Sequence, residues 1–299
     1  MLTTTLTAVQ KRANFRTALD SGKLLRFPGA HSPLIAMQLA ELGFDGIYIS
    51  GGALSAELGY PDIGLTTMSE VTQRGHQITR VTDLPTIIDI DTGFGEPMNA
   101  YRTVREMEDL GLAGCHIEDQ ILPKRCGHLA NKQLVDRDAM CRRVRAAADA
   151  KRDANFMLIA RTDSRAVEGL DASIDRAKSY VDAGADMIFP EAMTDEAEFE
   201  RFRQSISVPL LANMTEFGKS QLLSTTQLAN LGYNLVIYPV TSLRLAMNAI
   251  ETNFTQIRDD GTQINVVPNM QTRQRLYELL QYEQYSQFDE AIYNFLDAL

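Results

Sequence analysis

The chain has 299 residues, of which 44% are hydrophobic and 23% charged. That balance gives a globular protein enough material for a large core and excludes disordered, collagenous and fibrous chains. Lys and Arg number 29 against 39 Asp and Glu, a formal net charge of -10, so the surrounding field repels polyanions and nucleic acid is not an expected partner.

Three cysteines, Cys115, Cys126 and Cys141, with no C-x-x-C spacing, argue against a disulfide framework and for a reducing compartment, the cytoplasm. Residues 1–15 are rich in threonine and lack the apolar core of a secretory signal. No run approaches the ~18 consecutive apolar residues of a membrane helix, so no membrane association is expected.

Taken in order, the first predicted strand, 24–29, leads into a helix over 32–42 that ends on Gly43, a favoured position after a helix C-terminus. Strand 46–50 follows, then strand 86–90 with a helix over 99–110 ending on Gly111, and strand 114–117 with a long polar loop over 119–137. Strand 156–160 precedes a helix over 171–183 ending on Gly184. Strands 186–189, 209–212 and 235–238 alternate with helices over 195–206, 225–231 and 242–254. Eight short apolar strands, each running into polar or glycine residues, describe parallel strands covered on both faces. No G-x-G-x-x-G follows the first of them, so the expected fold is α/β, a closed (β/α)8 TIM-type barrel rather than a doubly wound sheet. The chain reads as one barrel domain, 1–299, with a helical extension over 266–299. Tyr277, Tyr282, Tyr285, Phe288, Tyr293 and Phe295 recur there at roughly helical spacing, which points to packing on the barrel or on another subunit.

Active sites of such barrels form at the C-terminal strand ends. Polar groups converge there from seven strands: Tyr48, Ser50, Gly51 and Gly52; Asp89 and Asp91; His116, Glu118 and Asp119; Arg161 and Asp163; Glu191; Asn213, Thr215 and Glu216; and Arg244. Burying so many charges is costly unless they are paired or functional. Asp89 and Asp91 are two apart on a strand and share a face. Two hard oxygen ligands with room for waters suit Mg2+, although solvated turn aspartates or an Asp–Arg pair would show the same spacing. In Lys124-Arg125-Cys126-Gly127-His128 a thiol stands among cationic side chains, the setting that keeps a cysteine reactive; Cys115 and Cys141 read as small apolar residues. Arg161 and Arg244 are suited to carboxylates, Ser50-Gly51-Gly52 offers backbone donors in a nest-like turn, and Asn213 and Thr215 add neutral donors. A substrate with several carboxylates and one metal-bound oxygen satisfies this inventory.

The stretches Tyr48-Ile-Ser-Gly-Gly, Asp89-Ile-Asp-Thr-Gly-Phe-Gly, His116-Ile-Glu-Asp-Gln, Lys124-Arg-Cys-Gly-His and Asn213-Met-Thr-Glu-Phe-Gly resemble the isocitrate lyase/phosphoenolpyruvate mutase superfamily over about residues 27–290. Within it, Lys-Arg-Cys-Gly-His and the chain length resemble the branch that cleaves 2-methylisocitrate. Leu129-Ala130 departs from the Arg-Pro frequent in such enzymes. The resemblance implies Mg2+-dependent retro-aldol cleavage of (2S,3R)-2-methylisocitrate, a tricarboxylate, to pyruvate and succinate in propionate catabolism. A sibling lyase for isocitrate or dimethylmalate, or a non-catalytic barrel, are the alternatives. It further implies Mg2+ on Asp89 and Asp91 with Glu118 in its outer shell, Cys126 as proton donor to the succinate fragment and Tyr48 as a candidate base. Lys124, Arg125 and His128 complete the catalytic loop. Ser50, Gly51, Gly52, Asp62, Cys126, Gly127, Arg161, Glu191, Asn213, Thr215, Arg244 and Arg273 are implied to bind substrate. The assembly implied is a homotetramer, a dimer of dimers, with the last barrel helix exchanged between subunits. Phe189 and Ile237 are expected to offer an apolar wall to the substrate methyl.

Overall fold

The computed structural model describes residues 4–127 and 131–295. Helix α1 (Ala8–Asp20) precedes strand β1 (Leu25–Pro28). Then follow α2 (Pro33–Glu41), β2 (Ile47–Ile49), α3 (Gly51–Glu57), α4 (Met68–Thr79), β3 (Thr86–Asp89), α5 (Pro97–Asp109), β4 (Gly114–Glu118) and α6 (Arg137–Ala150). The second half holds β5 (Met157–Thr162), α7 (Arg165–Glu168), α8 (Leu170–Asp182), β6 (Met187–Pro190), α9 (Glu196–Ser205), β7 (Leu211–Asn213), α10 (Thr225–Asn230), β8 (Leu235–Tyr238) and α11 (Thr241–Asp260). A short 3-10 turn (Ile264–Asn269), α12 (Arg273–Leu279) and α13 (Tyr282–Tyr293) close the described chain.

All strand pairs are parallel. β2 through β6 pair in sequence order, and β7 pairs with β8, which pairs with β1. Single bridges at Gly29–Tyr48 and Ile188–Leu210 join the two sheets and close the eight-stranded barrel expected from the sequence. The strands fall within two residues of their predicted limits. Helices α1, α3, α4 and α7 were not among the predicted elements. Gly51-Gly52 conceals α3, because glycines count against a helix although Ser50 caps this one by accepting from the Ala53 amide at 3.4 Å.

Alternate strand residues face opposite sides. Ile88, Cys115, Ile117, Leu158 and Ile188 pack outward into the layer beneath the helices, while Phe27, Ile87, Met157, Ile159, Phe189 and Ile237 fill the barrel interior. Phe15 and Leu19 of α1 join the interior cluster and plug its N-terminal end. Two buried cations hold α1 there. Lys11 donates to the carbonyls of Thr79 (2.9 Å) and Thr82 (2.6 Å) at the end of α4, and Arg12 Nε donates to Leu112 O (2.8 Å) just beyond α5. Through Thr79 O, and through Glu108 O to which Arg12 Nη2 also donates, they satisfy carbonyls that helix ends leave without partners.

The inward row on each strand changes character toward the C-terminal end. Ile87 gives way to Asp89, Ile159 to Arg161, Phe189 to Glu191 and Leu211 to Asn213. The same two-residue period that fills the core therefore delivers charge to the mouth. At the other extreme, α11 has no buried residue, and Leu245, Met247, Ile250 and Phe254 are exposed along it.

Candidate active site

One cleft at the mouth is lined by Tyr48, Ser50, Gly52, Asp62, Asp89, Lys124, Cys126 and Gly127 on one side. Arg161, Phe189, Glu191, Asn213, Thr215, Pro239, Val240 and Arg244 line the other. The first group carries an acidic pair and its counter-charge. Asp89 accepts from the amides of Asp91 (2.9 Å) and Gly51 (3.3 Å). Asp91, with φ at 47°, brings Oδ1 to 2.7 Å from Lys124 Nζ, which also pairs with Asp62. Burial and the neighbouring Asp89 carboxylate push the Asp91 carboxyl up to about 6 against the pull of Lys124. Burial opposes charge on Lys124, yet Glu118, Asp91, Asp89 and Asp62 together hold its ammonium well above the usual range.

Glu118 lies behind this pair, fully buried, and neither carboxylate oxygen has a hydrogen-bond partner among the described residues. Its nearest cation is Arg161, at 3.4 Å from Nε. Burial pushes its carboxyl well up, with Arg161 and Lys124 opposing. Among the described residues, no three His, Cys, Asp or Glu side chains gather into a complete metal cage. Mg2+ does not need one, since it keeps several waters and takes one or two carboxylates. Asp89 and Asp91 meet that requirement, and the unsatisfied Glu118 oxygens are acceptors for waters of such an ion. The residues present fit Mg2+.

The opposite wall carries two arginines, each paired with a carboxylate of the chain. Arg161 is held by Asp163 through two bonds, Nε to Oδ2 at 3.0 Å and Nη2 to Oδ1 at 3.1 Å, and its guanidinium lies 5.1 Å over the Phe189 ring. Burial works against the Asp163 charge, but Arg161 and Lys132 hold its carboxyl below the usual range. Asn213 Nδ2 donates to both oxygens of Glu191 (3.4 and 3.3 Å). Arg244 donates to Thr215 Oγ1 at 3.4 Å and to the Glu216 carboxylate at 2.7 Å.

Cys126 is half-buried in this cleft, and Gly127 packs against the carboxylate wall. A Cβ on Gly127 would overlap Arg161 Nη2 and stand 2.5 Å from Glu191 Cγ. The glycine is required for space rather than for a left-handed backbone, and Arg161 is pinned by Asp163 and cannot withdraw. Gly127→Ala is therefore expected to cost about 1–3 kcal/mol of stability through overpacking and to lower kcat at least tenfold. Thermal unfolding and steady-state rates check both.

Several expectations change. Tyr48 meets His116 Nε2 at 2.8 Å; burial, with Asp89 next in weight, pushes its phenol well above 10. Tyr48 is thus a neutral phenol, suited to donating a hydrogen bond rather than acting as the base. Burial lowers His116 to about 3, so that ring is neutral as well. Ser50-Gly51-Gly52 is not a nest-like turn but the first turn of α3. Arg125 is exposed and does not line the cleft, and its backbone is fixed by Gln120. Arg273 is exposed at the start of α12, beside Leu34 and Gln38 of α2, away from this chain's cleft. His128 and the unusual Leu129-Ala130 lie outside the described residues. Of the expected methyl wall only Phe189 lines the cleft, joined by Pro239 and Val240, while Ile237 is core. Lys132 was not among the expected site residues, and Asp119 was expected only as one of the polar groups at the strand ends. Asp119 is a buried hub that accepts from Thr162 Oγ1, the Asp163 amide and Tyr180 OH at 2.8–2.9 Å.

Comparison with known proteins agrees with this geometry. The family model described as phosphoenolpyruvate phosphomutase matches residues 15–258. A protein of Corynebacterium glutamicum described as probable 2-methylisocitrate lyase 1 is 56% identical over 287 residues, covering 96% of this chain and 94% of that protein. The solved structure of 2,3-dimethylmalate lyase superposes with a TM-score of 0.88 at 31% identity, covering 97% and 96% of the two chains. Phosphonopyruvate hydrolase, solved with oxalate and Mg2+, superposes at 0.86 with 30% identity, covering 95% and 99%. A barrel whose strand ends carry paired aspartates, a cysteine loop and a carboxylate wall, matched over nearly its whole length, belongs to the phosphoenolpyruvate mutase/isocitrate lyase superfamily.

Proposed function

We propose that the protein is a carbon–carbon lyase that cleaves (2S,3R)-2-methylisocitrate to pyruvate and succinate, with Mg2+ as its cofactor. The observation that carries this reading is Cys126 in a cleft that also holds Asp89, two arginines and Lys124, the lysine that pairs with Asp91. Kinship with a 2-methylisocitrate lyase supplies the substrate. Asp89 and Asp91 would hold the metal, with Glu118 accepting from its waters. Held there, Mg2+ would supply positive charge to stabilise the negative charge that develops on the pyruvate half.

The remaining work falls to the chain. Arg161 and Arg244 hold carboxylates of the succinate half, with Asn213 and Thr215 as neutral donors. Glu191 fixes Asn213. Lys124 stays cationic beside the acidic pair and balances its charge, and Tyr48 donates to a substrate oxygen. The substrate hydroxyl gives its proton to water in the cleft, the carbon–carbon bond breaks with its electron pair passing to the succinate fragment, and that fragment takes a proton from Cys126, whose thiolate regains one from solvent. Phe189 closes the site below Arg161, and lowering the local dielectric strengthens each of these interactions.

The test is product analysis with Mg2+ and each candidate acid, reading pyruvate against glyoxylate. Phe189, Pro239 and Val240 give a methyl group an apolar neighbour. One methyl is worth ~1–3 kcal/mol, so kcat/KM for 2-methylisocitrate should exceed that for isocitrate by ~10–200-fold. Equal constants, or a larger one for isocitrate, would assign the chain to a sibling lyase.

We place the enzyme in the cytoplasm on its cysteine usage and infer a homotetramer, a dimer of dimers exchanging α11. Leu245 is 67% exposed on a helix without a single buried residue, and Tyr293 is 79% exposed on α13; a second subunit would cover both. A chain ending at Val266 should lose the tetrameric mass in light scattering. A soluble truncated chain of unchanged oligomeric mass removes α12 and α13 from the assembly.

A further inference from the structure

Lys132 is buried, with its side chain 1% exposed, and its ammonium donates to the carbonyl of Gly127 and to Asp163 Oδ1 at 2.9 Å. Neither acceptor is incidental. Gly127 follows Cys126 and packs so closely on Arg161 and Glu191 that a methyl would not fit. Asp163 is the residue that grips Arg161 through two bonds. Its own amide donates to Asp119 Oδ1 at 2.9 Å, tying it to the buried hub between β4 and β5. A cation without access to water, satisfied by one acceptor from the loop and one from the barrel, connects two bodies in a fixed geometry.

We propose that Lys132 is a positioning residue, which docks the Cys126–Gly127 turn onto the carboxylate wall by using Asp163 as an anchor shared with Arg161. The thiol and the guanidinium are then placed by one carboxylate, so the proton donor and the group that holds the substrate carboxylate keep a constant separation. Lys132 touches neither substrate nor metal in this arrangement. Its contribution is the location of Cys126, and it rests on the reading of Cys126 as the proton donor. Misplacing a reacting group by about an ångström costs on the order of a hundredfold in rate.

Three variants and two readouts decide the matter. Lys132→Met is expected to lower kcat about a hundredfold while KM changes less than threefold. Lys132→Arg, which keeps donors for both acceptors, should recover most of that loss. The second readout does not need turnover: Cys126 alkylation by iodoacetamide, followed by peptide mass spectrometry, with and without succinate plus Mg2+. Ligand should protect Cys126 in the wild type and in Lys132→Arg, and should fail to protect it in Lys132→Met. Wild-type kcat with wild-type protection in Lys132→Met overturns the proposal, and so does an arginine variant as impaired as the methionine one. Should Lys132→Met fail to fold, Lys132→Gln replaces it, and full activity with full protection in that variant is equally fatal. If the wild type cleaves none of the candidate acids, the proposed reaction falls, while the alkylation pattern still tests the docking.

Discussion

Replacing Cys126 by serine is expected to lower kcat by ~10²–10⁴-fold, the usual contribution of a general acid–base group, and to leave Mg2+ binding unchanged. A thiol is a far stronger acid than a hydroxyl, and serine keeps the branching of the side chain with one smaller atom, so the change bears mainly on proton donation. Cys126 is half-buried in the cleft next to Gly127, the point at which the loop meets Arg161 and Glu191. The Asp89–Asp91 pair is held separately, by the Gly51 and Asp91 amides and by Lys124, so the metal site has no dependence on the thiol. Thermal unfolding and Mn2+ affinity should therefore match the wild type. A Cys126→Ser enzyme retaining more than half of the wild-type kcat would remove the cysteine from the mechanism.

Legibility in the sequence followed the reach of the interaction. The barrel was readable because each strand is a short apolar run with a polar end, a pattern carried within five or six residues. The charged mouth was readable for the same reason, since a period of two carries Ile87 to Asp89 and Ile159 to Arg161 on one face. Contacts between distant segments left no such trace. Lys132 reads as an ordinary loop lysine until Asp163, 31 residues on, is found against it. The close packing of Gly127 on Glu191 is likewise invisible in Cys-Gly-His. Tyr48 was a candidate base through the resemblance, a role that needs cations nearby. The fold surrounds it with Asp89, Glu118 and Glu191, which with burial outweigh Arg161. Arg273 was carried over by resemblance alone, with no strand or helix period to tie it to the mouth, and α12 holds it beside α2.

Asp89→Ala is expected to abolish the response to Mg2+ and to lower kcat by about 10³-fold, since a metal contributes several kcal/mol of charge stabilisation to such a reaction. Asp89 is the better test of the pair because its carboxylate is aimed. Two backbone amides hold it, and the space beside it is so limited that a Cβ on Gly51 would stand 2.8 Å from Oδ2. Asp91 is instead tied to Lys124, so removing it would disturb the cation and the metal together. The fold should survive the change, because buried acids crowded against one another do not hold a barrel together and the surrounding core is apolar. Binding of Mn2+, followed by electron paramagnetic resonance, reads the site without turnover: the wild type should bind and the variant should not. Wild-type enzyme treated with a chelator should fall to the same residual rate as the variant, and adding Mg2+ should restore the former only. If the chelated wild type keeps its full rate, or Asp89→Ala binds Mn2+ as tightly as the wild type, the metal does not sit on this carboxylate.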